Sequence, residues 1–267
     1  MDGLQALFLA LIQGLTEFLP VSSSAHLILP SQLLGWPDQG LAFDVAVHAG
    51  TLVAVMIYYR ESLTSLLMGV LGSGDNVSLR RREVSALLIA TLPAVVIGIV
   101  FSDAIDQYLR GIGVIATTTL LFGLLLGVSY SYRAAGADEQ PISRLDHALL
   151  IGLAQAFALI PGTSRSGVTI TASLFLGYNL ATAARFSFLM SIPVIGGALL
   201  LMLIKEFELF FSSANLTLTV SAMVVAAMSA YATIAFFVGL VTRVGMMPFV
   251  IYRVLLALIL FSILVFV

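Results

Sequence analysis

Cysteine is absent from all 267 residues, which excludes disulfides, thiol nucleophiles and thiolate metal sites. Charge is nearly as scarce. Twelve Lys and Arg and fourteen Asp and Glu make up 10% of the chain, against about a quarter in an ordinary soluble domain. The formal net charge of −2 offers no basic face to nucleic acid. No Lys or Arg precedes Arg60, so the segment "MDGLQALFLALIQG" lacks the basic start of a cleavable signal peptide, and none is expected. No polar stretch is long enough for a separate soluble domain, so any function lies in or beside a membrane.

What fills the chain is apolar. Sixty per cent of the residues are hydrophobic and the mean hydropathy is +1.09. This composition predicts an all-α polytopic membrane protein. Six segments are expected to span: Gly40 to Tyr59, Val84 to Phe101, Ile112 to Tyr130, Ala183 to Ile204, Leu216 to Leu240, and Pro248 to Val267. Two further stretches, Leu4 to Leu19 and Leu145 to Ile160, are short and run into a proline followed by Ser, Thr and Gly. They are expected to form two re-entrant helix pairs, because a helix that stops inside the bilayer must give its orphan backbone groups to protein or to a water-filled cavity.

Basic residues set the orientation. Arg60 and Arg80 to Arg82 mark the loop from Arg60 to Glu83 as cytoplasmic, as do Arg133 and Arg144 for the loop from Ser131 to Asp146. The loops from Ser102 to Gly111 and from Lys205 to Asn215 are then external. The chain also repeats itself. "LIQGLTEFLPVSS" at Leu11 answers "LAQAFALIPGTS" at Leu153, "FDVAVHAGTLVAVMIYYRE" at Phe43 answers "FSFLMSIPVIGGALLLMLIKE" at Phe186, and "SALLIATLPA" at Ser85 answers "SAMVVAAMSA" at Ser221. A single membrane domain of two pseudo-symmetric halves, about 1–135 and 141–267, follows. With opposite orientations for the halves, this is an inverted-topology internal repeat, which commonly joins two broken helices into one site near the midplane.

The chemistry concentrates at those breaks. Gln13 and Glu17 are four apart on one helical face; Pro20 ends the helix, and Ser22, Ser23, Ser24 and His26 follow. In the second half Pro161 and Gly162 break the chain beside Ser164, Arg165, Ser166 and Thr169. An arginine fork, two helix N-termini and several hydroxyls make an anion site suited to phosphate. Ser23 is a hydroxyl nucleophile candidate, His26 a titratable imidazole, and Glu17 a carboxylate that can orient a base or hold a divalent cation. A charge at membrane depth marks function, which singles out Glu17 and Arg165. Asp44 and His48, four apart, are expected to bond to each other, Arg185 and Arg253 to snorkel, and "GLLLG" at Gly123 and Gly196 with Gly197 to allow close helix packing.

The pair "QGLTEFLPVSSSAH" and "PGTSRSGVT", with "ARFSFLMSIP" at Ala184 and "PFVIYR" at Pro248, resembles the undecaprenyl-diphosphate phosphatase family, also known as the bacitracin-resistance family. The likeness covers essentially the whole chain. It implies a bacterial inner-membrane enzyme that hydrolyses undecaprenyl diphosphate to the monophosphate, recycling the lipid carrier of peptidoglycan synthesis; the loop charges, which open the first re-entrant stretch to the outside, place the expected active site on the periplasmic side. It implies catalytic roles for Glu17, Ser23, His26 and Arg165 and phosphate contacts from Ser164 and Thr169; Gln13, Ser22, Ser24 and Ser166, at the same breaks, are expected to contact substrate as well. It also implies a divalent cation, Mg or Ca, on Glu17. The expected partners are a polyprenyl diphosphate lipid and the bilayer, with a homodimer as the candidate assembly. Gln13, where relatives also carry Glu, cannot act as a general base. The nucleophile stays open among Ser23, His26 and an activated water, and a secondary transporter or lipid flippase is the rival reading, because its architecture would be the same.

Overall fold

The computed structural model describes residues 3–36, 41–132, 140–205 and 216–266. Among them the secondary structure is helical: α1 (Gly3–Thr16), α2 (Ser23–Leu34), α3 (Leu41–Tyr58), α4 (Arg60–Val70), α5 (Val77–Tyr108), α6 (Ile112–Tyr132), α7 (Leu145–Ala156) with a 3-10 turn (Phe157–Leu159), α8 (Arg165–Phe175), α9 (Leu180–Lys205), α10 (Leu216–Val244) and α11 (Met247–Phe266). Five helical stretches are long and apolar enough to cross a bilayer: Val77–Ile105, Ile112–Tyr132, Leu180–Met202, Leu216–Val244 and Met247–Val265. The sixth expected span coincides with α3, whose stretch Phe43–Tyr58 belongs with the shorter apolar helices, as do Gly3–Thr16 and Leu145–Leu159. The protein is a multi-pass membrane protein.

Two loop expectations are corrected. The segment from Arg60 to Glu83 is largely helical, formed by α4 and the first turns of α5, and the segment from Ser102 to Gly111 is helical as far as Tyr108. Basic and acidic side chains hid these turns from a reading based on apolar runs alone, since a helix leaving the bilayer keeps its backbone bonds whatever its hydropathy. Residues 133–139 of the loop from Ser131 to Asp146, and all of the loop from Lys205 to Asn215 but Lys205 itself, lie outside the described residues.

The element order repeats as helix, proline break, short helix, long helix: α1, Pro20, α2, α3 and then α7, Pro161, α8, α9. The short arms pack crosswise. Helix α1 lies mainly on α10, and α7 on α5, so each half shelters the other's broken helix. Glycine makes both approaches possible. A Cβ at Gly14 would run into Ser229 and the Ala226 carbonyl of α10, and one at Gly152 would lie 2.5 Å from the Ala90 carbonyl of α5. Gly196 and Gly197, expected at a close packing, instead face open space, with nothing within 4 Å of a Cβ built on either. Between the arms, Phe18 of the first break meets Phe188 of α9 edge-on at 5.4 Å, inside a cluster that also holds Phe186, Ile170 and Phe237. That cluster fixes the depth at which the two breaks meet.

Candidate active site

Each break ends on a serine in an uncommon backbone conformation. Ser22 (φ 73°, ψ 100°) immediately precedes α2, and Ser164 (φ 68°, ψ 111°) immediately precedes α8. With Asn76 they are the non-glycine residues of positive φ among the described residues. Such geometry costs of order 1–3 kcal/mol and persists where surrounding bonds enforce it. Those bonds run between the breaks. The Gly162 N–H donates to Ser24 Oγ (3.1 Å), and the Ser166 hydroxyl donates to the Leu19 carbonyl (2.9 Å). Ser164 Oγ caps α8 by accepting from the Gly167 N–H (3.2 Å).

Glu17 is the hub. Its Oε1 accepts from Arg165 Nη2 at 3.2 Å; its Oε2 accepts from Gln13 Nε2 at 2.8 Å and from the Ser23 hydroxyl at 3.2 Å. The pair is nearly dry, with side chains 8% and 11% exposed. Arg165 also donates to the Ser187 carbonyl (3.2 Å) and lies over the Phe18 ring, 5.6 Å from its centroid, so its fork is held from three sides. Gln13 is fully buried. Its amide nitrogen reaches His48 Nε2 (3.1 Å) as well as Glu17, and its Oε1 is buried without a partner. His48 Nδ1 faces the Asp44 backbone carbonyl (2.7 Å), which can only accept, so Nδ1 carries the proton and Nε2 accepts from Gln13. The expected His48 bond to the Asp44 carboxylate is thus replaced by one to the Asp44 carbonyl. A continuous hydrogen-bonded chain results: His48, Gln13, Glu17, Ser23.

A cavity of about 480 Å³ opens over this hub, lined by Glu17, Ser22, Ser23, Ser24, Ser164 and Arg165. Asp44, His48, Arg110 and Gln155 complete its polar wall. A second cavity of about 380 Å³ shares Ser23, Ser24, Asp44, His48 and Arg110 with the first and adds Gln13. An almost wholly apolar groove of about 580 Å³ adjoins at Leu159, running between Ile97, Phe101 and Ile105 of α5 and Leu153 and Phe157 at the end of α7.

Three sequence candidates sit off the cavity wall. Ser166 is spent on Leu19, and Thr169 pairs with Ser187 Oγ (2.7 Å) while lying 2.9 Å from the Arg165 carbonyl. Both brace the turn. His26 donates from Nδ1 to the Ser22 carbonyl (2.6 Å), and its Nε2 meets the Tyr252 hydroxyl (2.6 Å), with the two rings stacked. Ser23 therefore has Glu17, not His26, as its hydrogen-bond acceptor.

Residues that the sequence did not single out also belong here. Arg110 read as a loop charge, yet it lines both cavities. Gln155 was legible as the repeat partner of Gln13. Arg253 is the largest miss. Expected to snorkel, it is fully buried, because its side chain is drawn inward by backbone carbonyls of both breaks. It donates to the Gly162 (2.9 Å), Thr163 (3.0 Å) and Thr119 (3.1 Å) carbonyls and reaches Pro20 and Thr118 at 3.5 Å. Arg185, also expected to snorkel, pairs with fully buried Glu83, which binds Arg80 as well.

The donors suit a hard cation only in part. Among the described residues no three or more His, Cys, Asp or Glu cluster to form an all-protein cage. Two carboxylates, Glu17 and Asp44, share the cavity, and Gln13 Oε1 is an acceptor lacking a donor. That set fits Mg or Ca if phosphate oxygens complete the shell.

Fold and site together define a polytopic membrane protein with a charged, hydroxyl-lined cavity where two broken helices meet. The family model described as bacitracin resistance protein BacA matches residues 6–259. The chain belongs to that family. Among its curated relatives, the undecaprenyl-diphosphatase of Alcanivorax borkumensis is 56% identical over 265 residues, 96% of this chain and 97% of the relative. Those of Teredinibacter turnerae and Saccharophagus degradans are 52% and 49% identical, covering 98% and 96% of this chain and 99% and 96% of the relatives.

Proposed function

We propose that this protein is a membrane hydrolase that cleaves undecaprenyl diphosphate to undecaprenyl phosphate and inorganic phosphate in the bacterial inner membrane. In doing so it recycles the lipid carrier of peptidoglycan synthesis and confers bacitracin resistance. The observation that carries this reading is the Ser23–Glu17–Arg165 cluster: a hydroxyl on a carboxylate, beside an anchored guanidinium, at two helix N-termini. The full-length likeness to undecaprenyl-diphosphatases supports the same chemistry over transport.

The diphosphate sits in the polar cavity against Arg165, with Arg110 at the mouth, and the prenyl chain leaves along the apolar groove at Leu159. Ser23 Oγ attacks the terminal phosphorus as its proton passes to Glu17 Oε2, and the bond from that phosphorus to the bridging oxygen breaks, releasing the prenyl monophosphate. Water then attacks the phosphoserine, delivering OH to phosphorus and a hydrogen to Ser23 Oγ, while the proton on Glu17 passes to solvent. Arg165 stabilises the charge that builds on the phosphoryl oxygens. His26 holds the Ser22 carbonyl and so fixes the direction of Ser23. A divalent cation, held by Glu17, Asp44 and the Gln13 carbonyl, would neutralise phosphate charge when bound.

The cavity faces the periplasm in this proposal, supported by the gathering of Arg80, Arg81 and Arg82 at the start of α5, with Arg110 beyond its other end. The inverted orientation of the halves follows from the same charges. Purified protein should release phosphate from a prenyl diphosphate, lose that activity to a chelator and regain it with Mg or Ca. Wild-type rates in both Ser23→Ala and Arg165→Ala would sink the assignment.

A further inference from the structure

We propose that Arg253 is a positioning residue for the diphosphate: it clamps both helix breaks at once and sets a fixed positive charge behind the phosphate site. The proposal rests on the phosphatase reading above. Arg253 projects from α11, an element that supplies no group to the cavity wall, and its fully buried guanidinium has only carbonyl partners. Those carbonyls belong to Pro20 in the first break, Gly162 and Thr163 in the second, and Thr118 and Thr119 of α6. Among the described residues no ion pair involves it.

Room for this side chain is built in. A Cβ at Gly123 would lie 3.0 Å from Arg253 Cβ, and one at Gly167 would lie 2.9 Å from Nη1. The glycines of α6 and α8 thus form the channel through which the guanidinium reaches the seam.

A trans peptide points its N–H opposite to its C=O. With the Thr163 carbonyl on Arg253, the Ser164 N–H is turned to the other side of the chain, next to Arg165 on the cavity wall. The same clamp supports the positive φ of Ser164. A neutral brace would tie these carbonyls without burying a charge in an apolar bundle, where a lone cation is disfavoured unless an anion comes near. The charge balance of the hub agrees. Glu17 and Arg165 cancel, as do Asp44 and Arg110 on the same wall, so Arg253 is what leaves the site net positive toward a diphosphate.

The test compares Arg253→Met, close in volume and neutral, with Arg253→Lys, in detergent-purified protein. Melting temperature, kcat, KM for a prenyl diphosphate, and the Ki of methylenediphosphonate are measured. Arg253→Met is expected to remain folded, to raise the Ki at least tenfold, and to lose about 100-fold or more in kcat/KM, the scale of a removed transition-state donor. Arg253→Lys, which keeps the charge but not the fork, should recover at least tenfold of that loss. A folded Met variant within threefold of wild type overturns the proposal, as does a loss of activity with unchanged Ki and no recovery by Lys. If Arg253→Met does not fold, Gly123→Ala, whose Cβ would meet Arg253 Cβ, Nε and Cδ at 3.0, 3.3 and 3.5 Å, gives the same reading: a raised Ki at unchanged melting temperature supports the clamp, and an unchanged Ki overturns it. Wild-type protein that releases no phosphate would instead refute the phosphatase reading itself.

Discussion

Replacing Glu17 by glutamine removes one charge and almost no volume, and its effect can be worked from three bonds. Arg165 Nη2, Gln13 Nε2 and Ser23 Oγ all donate to the two carboxylate oxygens, at 3.2, 2.8 and 3.2 Å. An amide offers one accepting oxygen, and its NH2 must face at least one of these donors. A buried donor opposed in this way costs about 1–3 kcal/mol. At 3.2 Å the lost ion pair is worth about 5 kcal/mol of gross attraction at an effective dielectric of about 20, most of it offset by the desolvation of both groups. The larger effect is on rate, because Ser23 loses its proton acceptor, and general-base removal typically costs about 10²–10⁴. Binding should move the other way. Arg165, released from Glu17, gains a free face for phosphate, and a negative charge beside the substrate disappears. Glu17→Gln, assayed at saturating Mg so that a weakened cation site does not enter, should therefore show kcat reduced about 10³-fold with KM unchanged or lowered, measured by phosphate release from a prenyl diphosphate. A kcat within tenfold of wild type, or a loss carried wholly by KM, would refute the assignment of Glu17 as base.

Glu83→Ala should cost about 3 kcal/mol of stability, at the low end for a broken buried pair because Arg80 and Arg185 remain about a quarter exposed; denaturant unfolding in detergent reads it, and kcat per folded molecule should hold. Gly152→Ala drives a Cβ toward the Ala90 carbonyl and should destabilise the α5–α7 contact by about 1–3 kcal/mol, seen as a lower melting temperature. Acid quenching during turnover should trap an acid-stable phosphate ester on Ser23. In His26→Ala the same ester should form about tenfold more slowly, for want of the Ser22 hydrogen bond. An acid-labile adduct on His26 would reverse these two roles.

The breaks were readable because proline, serine and charge in an apolar run have few explanations, and their meeting was readable because the repeat supplied a partner for each. Rotation was not. Whether Arg253 faces lipid or core depends on the roll of α11 against α6, set by Gly123, Gly127 and Val250 far apart in sequence. His26 lies three residues from Ser23, which allows a shared face, but the Ser22 carbonyl and Tyr252 turn its ring elsewhere. Asp44 and His48 have the spacing of a side-chain pair, yet the carbonyl at i−4 competes for the same ring nitrogen and holds it at 2.7 Å. Periodicity gives the face a residue is on; it does not give the partner that wins.

The unequal division of charge between the two copies has a physical rationale. Both keep the glutamine, Gln13 and Gln155, and the strained serine, Ser22 and Ser164, but only the first has an acid, Glu17, and only the second an arginine beside its serine, Arg165. Two acids at the seam would repel a diphosphate. Two arginines there would repel each other in a nearly dry site before any substrate arrived. One of each makes a pair that is neutral while the site is empty and folds without a ligand. It also leaves the arginine able to exchange its carboxylate for a phosphoryl oxygen when the headgroup enters. In the proposed mechanism the exchange matters for chemistry, because the oxygen that lets go of Arg165 belongs to the carboxylate assigned to take the Ser23 proton. Substrate binding to Arg165 would thus leave Glu17 Oε1 without its partner while Oε2 still accepts from Ser23, at the moment Ser23 has a phosphorus to attack.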